Sequence, residues 1–400
     1  MQNISYFCIV KHLKKDFCTF LGIILMLLPL KAVAQDSIQT NTIDSVEVSL
    51  LTCSPHEEIY SLYGHTALRW HDLRSGEDLA FNWGIFNFQK PYFILRFVFG
   101  LTDYELGAIP MKYFMEEYRS VGSSVTEQVL DLTAGEKQRL FLALIKNLQP
   151  ENRIYRYNYF YDNCSTRPRD IIEQCINGKI QYTDNKNFTP SYREMVSICT
   201  RNHPWATFGN DMLLGVKADM ATNRQQQEFL PEHLLYDFDR AQIYANGKYR
   251  QLVKERRTLV PAGVQIIEQD FLLSPTECAC ALLILSIGIL AFEWQRKKTF
   301  LLWDSLLMVA QGLVGLLLFV MLFSQHPTTS TNLQILLFNP LPFFFLPTVV
   351  RRRSTRWWLI LSVLFVLFMI GSIFQHYAEG MHIVALCLLL RSAIHLKLKA

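Results

Sequence analysis

The feature that most constrains this chain is an apolar block that begins near Thr276. Five segments within it, residues 276–292, 300–323, 333–350, 357–374 and 381–396, are long and apolar enough, or nearly so, to span hydrocarbon. Backbone polar groups inside a bilayer must be satisfied within the segment, so these read as helices. The stretch before the block has an ordinary globular mixture, so the 50% of the chain that is hydrophobic averages over two solvents. At 400 residues, two to three domains are expected.

Near the N-terminus, Lys11, Lys14 and Lys15 precede an apolar run over 17–30 and then Ala32-Val33-Ala34. These are the three regions of a secretory signal, so residues 1–34 are expected to be removed and residues 35–275 to form an exported domain, ahead of a membrane domain over 276–400. The charges offer an independent test. Export of the first domain requires the loops after the first and third spans, and the C-terminus, to be cytoplasmic. Those places carry Arg296, Lys297 and Lys298, then Arg351, Arg352, Arg353 and Arg356, then Lys397 and Lys399, whereas loops 324–332 and 375–380 hold no Lys or Arg. The net charge of +4 is small and is inflated by these clusters, which excludes a nucleic-acid reading.

Within the exported part, residues 46–51, 66–70, 80–83, 123–130 and 154–160 have strand character. Thr133-Ala134-Gly135-Glu136 opens an amphipathic helix reaching about Leu148 with a capping box. Pro168 opens a second helix that runs to Cys175, which puts Cys164 at or just before a helix N-terminus. Residues 182–269 read as mainly helical and irregular. The pattern is α+β.

Nine cysteines show no CxxC pair and no zinc spacing, so neither a metal nor a cofactor is expected. Cys164 stands out because a helix start favours a thiolate and because Arg167 and Arg169 add positive charge. Backbone N–H groups at that start are expected to stabilise an oxyanion. A nucleophilic cysteine needs a base, and His65, following Gly64 and opening a strand, is the best candidate ahead of His56, His71, His203 and His233. His71, Asn82 or Asp72 could orient the imidazole, and spacing leaves the choice open. Asn163-Cys164-Ser165 also matches a glycosylation sequon, which would smother such a site. In the membrane block, Asn339, Pro340, Pro342 and Pro347 interrupt the third span, either bordering an access route for lipid or kinking an ordinary helix. His326, His376, Glu379 and His382 fall toward its exported side.

The motifs Tyr63-Gly64-His65-Thr66-Ala67-Leu68-Arg69 and Tyr157-Asn158-Tyr159-Phe160-Tyr161-Asp162-Asn163-Cys164-Ser165-Thr166 resemble the circularly permuted NlpC/P60 group, which includes lecithin:retinol acyltransferase-like enzymes. The resemblance implies a papain-like fold read in permuted order, with Cys164 as nucleophile and His65 as base. Arg69 and Asn163, inside the motifs, are candidate supporting residues. Over nearly the whole chain, with Phe81-Asn82-Trp83-Gly84-Ile85-Phe86, Phe229-Leu230-Pro231 and the five apolar segments, the sequence resembles the Lnb family of lipoprotein N-acyltransferases. That implies a bacterial inner-membrane enzyme with a periplasmic catalytic domain. Its partners would be a phospholipid acyl donor and a diacylated lipoprotein acceptor. A cell-wall cysteine peptidase or amidase, and a membrane module with a structural Cys164, are the alternatives.

Overall fold

A computed structural model describes residues 43–86, 91–183, 187–265, 271–353 and 355–399, and the expected signal sequence lies outside them. Strand β1 (Val46–Cys53) is buried along nearly its whole length, as a central strand covered on both faces must be. Antiparallel to it runs β2 (His65–Asp72), and β3 (Asp78–Ile85) returns beside β2. A short helix, α1 (Phe93–Val98), leads into β4 (Asp103–Pro110), and then α2 (Met111–Ser120) and β5 (Val125–Leu130) follow.

Helix α3 (Ala134–Leu148) starts at Thr133 with the expected capping box, in which the Thr133 side chain takes the Glu136 N–H and the Glu136 carboxylate takes the Thr133 N–H. The strand expected over 154–160 is only β6 (Ile154–Arg156). Its second half bends into a tight loop, closed by the Asn158–Asp162 bridge, that presents the cysteine ahead of α4 (Thr166–Cys175).

The reading of 182–269 as helical needs correction. After β7 (Lys179–Gln181) come α5 (Tyr192–Thr200), α6 (Pro204–Leu213), α7 (Arg224–Gln227) and α8 (Pro231–Arg240), but then β8 (Gln242–Ala245), β9 (Lys248–Gln251) and β10 (Val253–Val260) are strands. Asn246 and Gly247, both at positive φ, make the hairpin turn between β8 and β9. β10 crosses back to pair with β5, completing a seven-stranded sheet in the order β10-β5-β1-β2-β3-β4-β6. Helix α2 covers one face over Leu51, Cys53, Ala67 and Ala80. Helices α3, α4 and α8 pack on the other.

The five apolar segments are all helical. α9 (Pro275–Arg296), α10 (Leu301–Met321) and the stretch Leu333–Val350 are long and apolar enough to cross a membrane, while α12 (Trp357–Gly371) is apolar but shorter. The third stretch is broken: a 3-10 turn at Leu333–Leu336 gives way to α11 (Leu341–Val350) through Asn339, whose side chain donates to the Leu336 and Leu337 carbonyls and accepts from the Leu341 N–H. A Cβ on Gly315 of α10 would lie 2.2 Å from the Asn339 carbonyl carbon, so this irregular backbone is packed against protein, as non-helical chain at membrane depth requires. In α13 (Met381–Lys399), Arg391 is buried and bonded to Glu293 of α9 and Asp304 of α10, tying three helices at the end opposite the exported domain.

From Val46 onward the chain forms one compact unit. The junction is hydrogen-bonded and buried: Gly215 and Val216 N–H groups donate to the Thr328 and Thr331 carbonyls, and Gln334 and Gln375 side chains donate to the Asp211 and Leu214 carbonyls. Arg193 of α5 fixes that segment from behind, bonding to Asp211, Asp219 and the Leu214 carbonyl.

Candidate active site

Cys164 sits in the loop between β6 and α4, two residues before the helix begins. The loop is locked by its neighbour. The buried Asn163 accepts the Ser165 and Thr166 N–H groups on Oδ1, at 2.9 and 3.0 Å, and donates from Nδ2 to the Tyr159 and Phe229 carbonyls. Ser165 Oγ also meets Thr66 Oγ1 of β2 at 3.0 Å. Asn163 is therefore a positioning residue, serving as a local cap for α4 and as a link to the Phe229-Leu230-Pro231 segment.

These bonds change the expectation for the oxyanion. The N–H groups of Ser165 and Thr166 are taken by Asn163 Oδ1, those of Arg167 and Arg169 by the Asn163 and Ser165 carbonyls, and Pro168 has none. Among the described residues, that leaves the Cys164 N–H as the donor of this turn with no acceptor.

His65 opens β2 beside the sulfur. Asn82 Oδ1 of β3 lies 2.7 Å from His65 Nε2, and an amide oxygen only accepts, so Nε2 carries its proton and Nδ1 is left for the thiol. Burial raises the Cys164 pKa, but the charge of His65, a hydrogen bond from it, the Thr66 N–H and the Ser165 side chain outweigh that, and the net direction is down. For His65 burial lowers the pKa, and the Cys164 charge with bonds to Cys164 and Asn82 reverses it, so the net direction is up. Both shifts favour the charged forms, so the contact biases the pair toward thiolate and imidazolium. Tyr118 stacks on the far side of the imidazole, ring centroids 6.4 Å apart and planes within 14°.

Cys53, Cys175 and Cys199 shift the opposite way. Burial pushes Cys53 well up, raises Cys175 and takes Cys199 to about 11. No described cysteine is in a disulfide.

Space in front of the pair comes from Gly84. Its φ of +128° falls where β3 slips register against β4, and a Cβ there would lie 3.3 Å from His65 Cε1 and 4.0 Å from Cys164 Cβ. A wall of tyrosines stands near the sulfur. Tyr104 and Tyr157 stack at 4.2 Å, Phe86 leans on Tyr104 at 4.9 Å, and burial together with the Cys164 charge raises the phenols of Tyr104, to about 12, and of Tyr155 and Tyr157 further. Sequence reasoning placed Gly84 and Tyr157 inside quoted motifs but assigned no role to them or to Tyr104 and Tyr155, although an isolated glycine inside a strand is a signal for a bulge.

Of the residues left open to orient His65, Asn82 is the one in contact. His71 and Asp72 lie at the opposite end of β2, His71 paired with Glu47 across the strands and Asp72 bonded to Ser75 in the following turn. Both are too far to serve, because β2 is extended and separates them from His65 by its full length. Arg69 is also no partner of the cysteine: it is buried in a fork with Asp78 and a bond to Glu127, holding the sheet together. Arg167 stacks over Tyr155 at 3.6 Å and pairs with Asp162, while Arg169 bonds Glu228. His56 abuts Tyr60, His203 faces Glu57 and His233 stacks on Phe188.

Compared with known families, residues 34–198 match the Lnb N-terminal periplasmic domain and residues 266–400 match the Lnb transmembrane domain. The chain is an Lnb-family protein. No curated protein and no solved structure gave a significant match. Cys164, His65, Asn82 and Gly84 all lie inside the first Lnb match, whereas Arg193's partners Asp211 and Asp219, and Phe229, lie between the two. The Lnb assignment makes this a membrane protein with a periplasmic N-terminal part.

Proposed function

We propose that the protein is a thiol-dependent N-acyltransferase of the bacterial inner membrane, moving an acyl chain from a phospholipid through Cys164 to the α-amino group of a diacylglyceryl-cysteine on a lipoprotein. The observation that carries this reading is the Cys164–His65–Asn82 arrangement, in which a cysteine whose pKa is lowered touches a histidine held by an amide. The histidine strand ahead of the cysteine helix fits a circularly permuted papain-like (NlpC/P60) fold.

The thiolate attacks the ester carbonyl, and the tetrahedral oxyanion is met by the Cys164 N–H. As it collapses, the imidazolium protonates the departing lysophospholipid oxygen, leaving a thioester and a neutral His65. The neutral acceptor amine then attacks the thioester, His65 takes the amine proton, and the amide leaves as the thiolate and imidazolium are restored. Asn82 keeps the ring in plane throughout. Water competes with the amine, and the apolar wall of Tyr104, Tyr157 and Phe86 restricts it.

Expressing the full chain in cells lacking their own N-acyltransferase, and weighing lipoprotein N-terminal peptides, tests the reading. Triacylated peptides are expected from the native chain and diacylated ones from Cys164→Ala. Triacylated peptides from a folded Cys164→Ala protein would refute it. A soluble portion that cleaved muropeptides would instead favour the peptidase alternative.

A further inference from the structure

We infer that α1 and the residue before it form a membrane-surface contact that seats in the phospholipid headgroup layer and sets the height of the Cys164 site above the bilayer. Tyr92, Leu95 and Phe97 are 81%, 59% and 48% exposed, an unusual concentration of large apolar side chains on so short a helix. Their position says what covers them. The Phe97, Val98 and Phe99 carbonyls accept from His326 Nε2, Ser324 Oγ and the Gln325 N–H, so α1 is bolted to the loop that leaves α10. Phe323, the residue just before that loop, is 68% exposed, and Leu272 ahead of α9 and Ile373 after α12 are 92% and 76% exposed.

These chains form an apolar collar at the exported ends of the bundle helices, where the hydrocarbon meets the headgroups. α1 is continuous with that collar through direct hydrogen bonds, so its exposed face meets lipid. Gly100 makes the contact so close that a Cβ would lie 2.7 Å from the His326 N, and its φ is +67°. Only glycine fits there.

The helix also reaches the site. Arg96 pairs with Asp103 at the start of β4, the strand of Tyr104, and Thr102 O accepts the Tyr157 N–H. Resting on the acyltransferase reading, this places the phospholipid donor at the foot of the tyrosine wall beside Cys164.

Photo-crosslinking in the full-length protein tests the contact. With p-benzoylphenylalanine at Leu95, irradiation in nanodiscs of phosphatidylethanolamine and phosphatidylglycerol is expected to add a phospholipid mass to the peptide. The yield should approach that from Leu285, a 52% exposed residue of the membrane helix α9. Leu73, 56% exposed at the far end of β2, should give none. A Leu95 yield as low as that at Leu73, or a crosslink to a second protein chain, would overturn the inference. The double variant Leu95→Asp/Phe97→Asp should raise the KM for vesicle-borne donor several-fold while leaving the alkylation rate of Cys164 unchanged. Lipid adducts without any N-acylation would leave the contact standing and sink only the acyltransferase reading.

Discussion

Alkylation kinetics of the individual cysteines test the chemistry of the site without assuming a substrate. An ordinary thiol at 9.0 is about 1% ionised at pH 7, and Cys164 lies below that value, so at least about 1% of it is thiolate. Cys199, taken to about 11 by burial, is ionised in roughly one molecule in ten thousand. The ratio of thiolate populations is thus at least about a hundredfold. Lower basicity weakens a thiolate as a nucleophile with a slope near 0.45, which takes back about eightfold and leaves at least a tenfold advantage. Iodoacetamide labelling of the full chain at pH 7, followed peptide by peptide in mass spectra, should show Cys164 reacting at least about ten times faster than Cys199, with Cys53 slower still. Because the Cys164 pKa is lowered, the thiolate is present above it, and the rate should rise and level off at lower pH than for a free thiol. His65→Ala removes the largest lowering influence and leaves burial, so the inflection should move up and the rate at pH 7 should drop. Equal rates for Cys164 and Cys199, or a pH profile untouched by His65→Ala, would refute the ion-pair assignment.

Asn82→Ala removes the acceptor of His65 Nε2–H. A hydrogen bond to a charged group contributes about 1.5–3 kcal/mol, so kcat for acyl transfer should fall about 10- to 150-fold, and an unchanged kcat would show that Asn82 only packs. Gly84→Ala forces a side chain to φ +128° and 3.3 Å from His65 Cε1. The strain is worth about 1–3 kcal/mol; differential scanning fluorimetry should show a lower Tm together with slowed Cys164 alkylation, and a Tm unchanged from the native chain would contradict it.

What the sequence made legible was local. Strands β1 to β3, the capped start of α3 and the helical segments of the bundle follow from alternation, capping residues and sustained apolarity, each within a few residues of one another. The pairing of His65 with Cys164 was readable because both stand beside turn or helix-start signals. The choice among Asn82, His71 and Asp72 was not. It depends on which end of β2 faces the cysteine loop, a fact fixed by the Thr66–Ser165 bond across 99 residues. β10 was hidden for a similar reason: its pairing with β5 is long-range, and the charged run Lys254-Glu255-Arg256-Arg257 on a solvated edge strand lacks an apolar stripe. The Asn246-Gly247 step was a local clue only to the β8–β9 hairpin ahead of it.

The buried path from thiol to membrane bears on why five helices follow the periplasmic domain. Asn163, beside Cys164, donates to the Phe229 carbonyl, and Phe229 packs with Tyr192, Met195, Leu214 and Ala218. Arg193, next to Tyr192, holds the Leu214 carbonyl and Asp211, which are bonded in turn by Gln375 and Gln334 of the bundle. Every link is a buried contact or hydrogen bond, so the cysteine cannot swing relative to the helices as it could on a flexible linker. A peptidase working on soluble peptides gains nothing from that constraint. A transferase whose donor and acceptor are both held in the bilayer does, because the reactive carbonyl and the amine come to a fixed height, and a thiolate misplaced by about 1 Å can lose roughly a hundredfold in rate. The rigid junction is therefore a reason to favour lipid-anchored substrates that is independent of the cysteine's own chemistry.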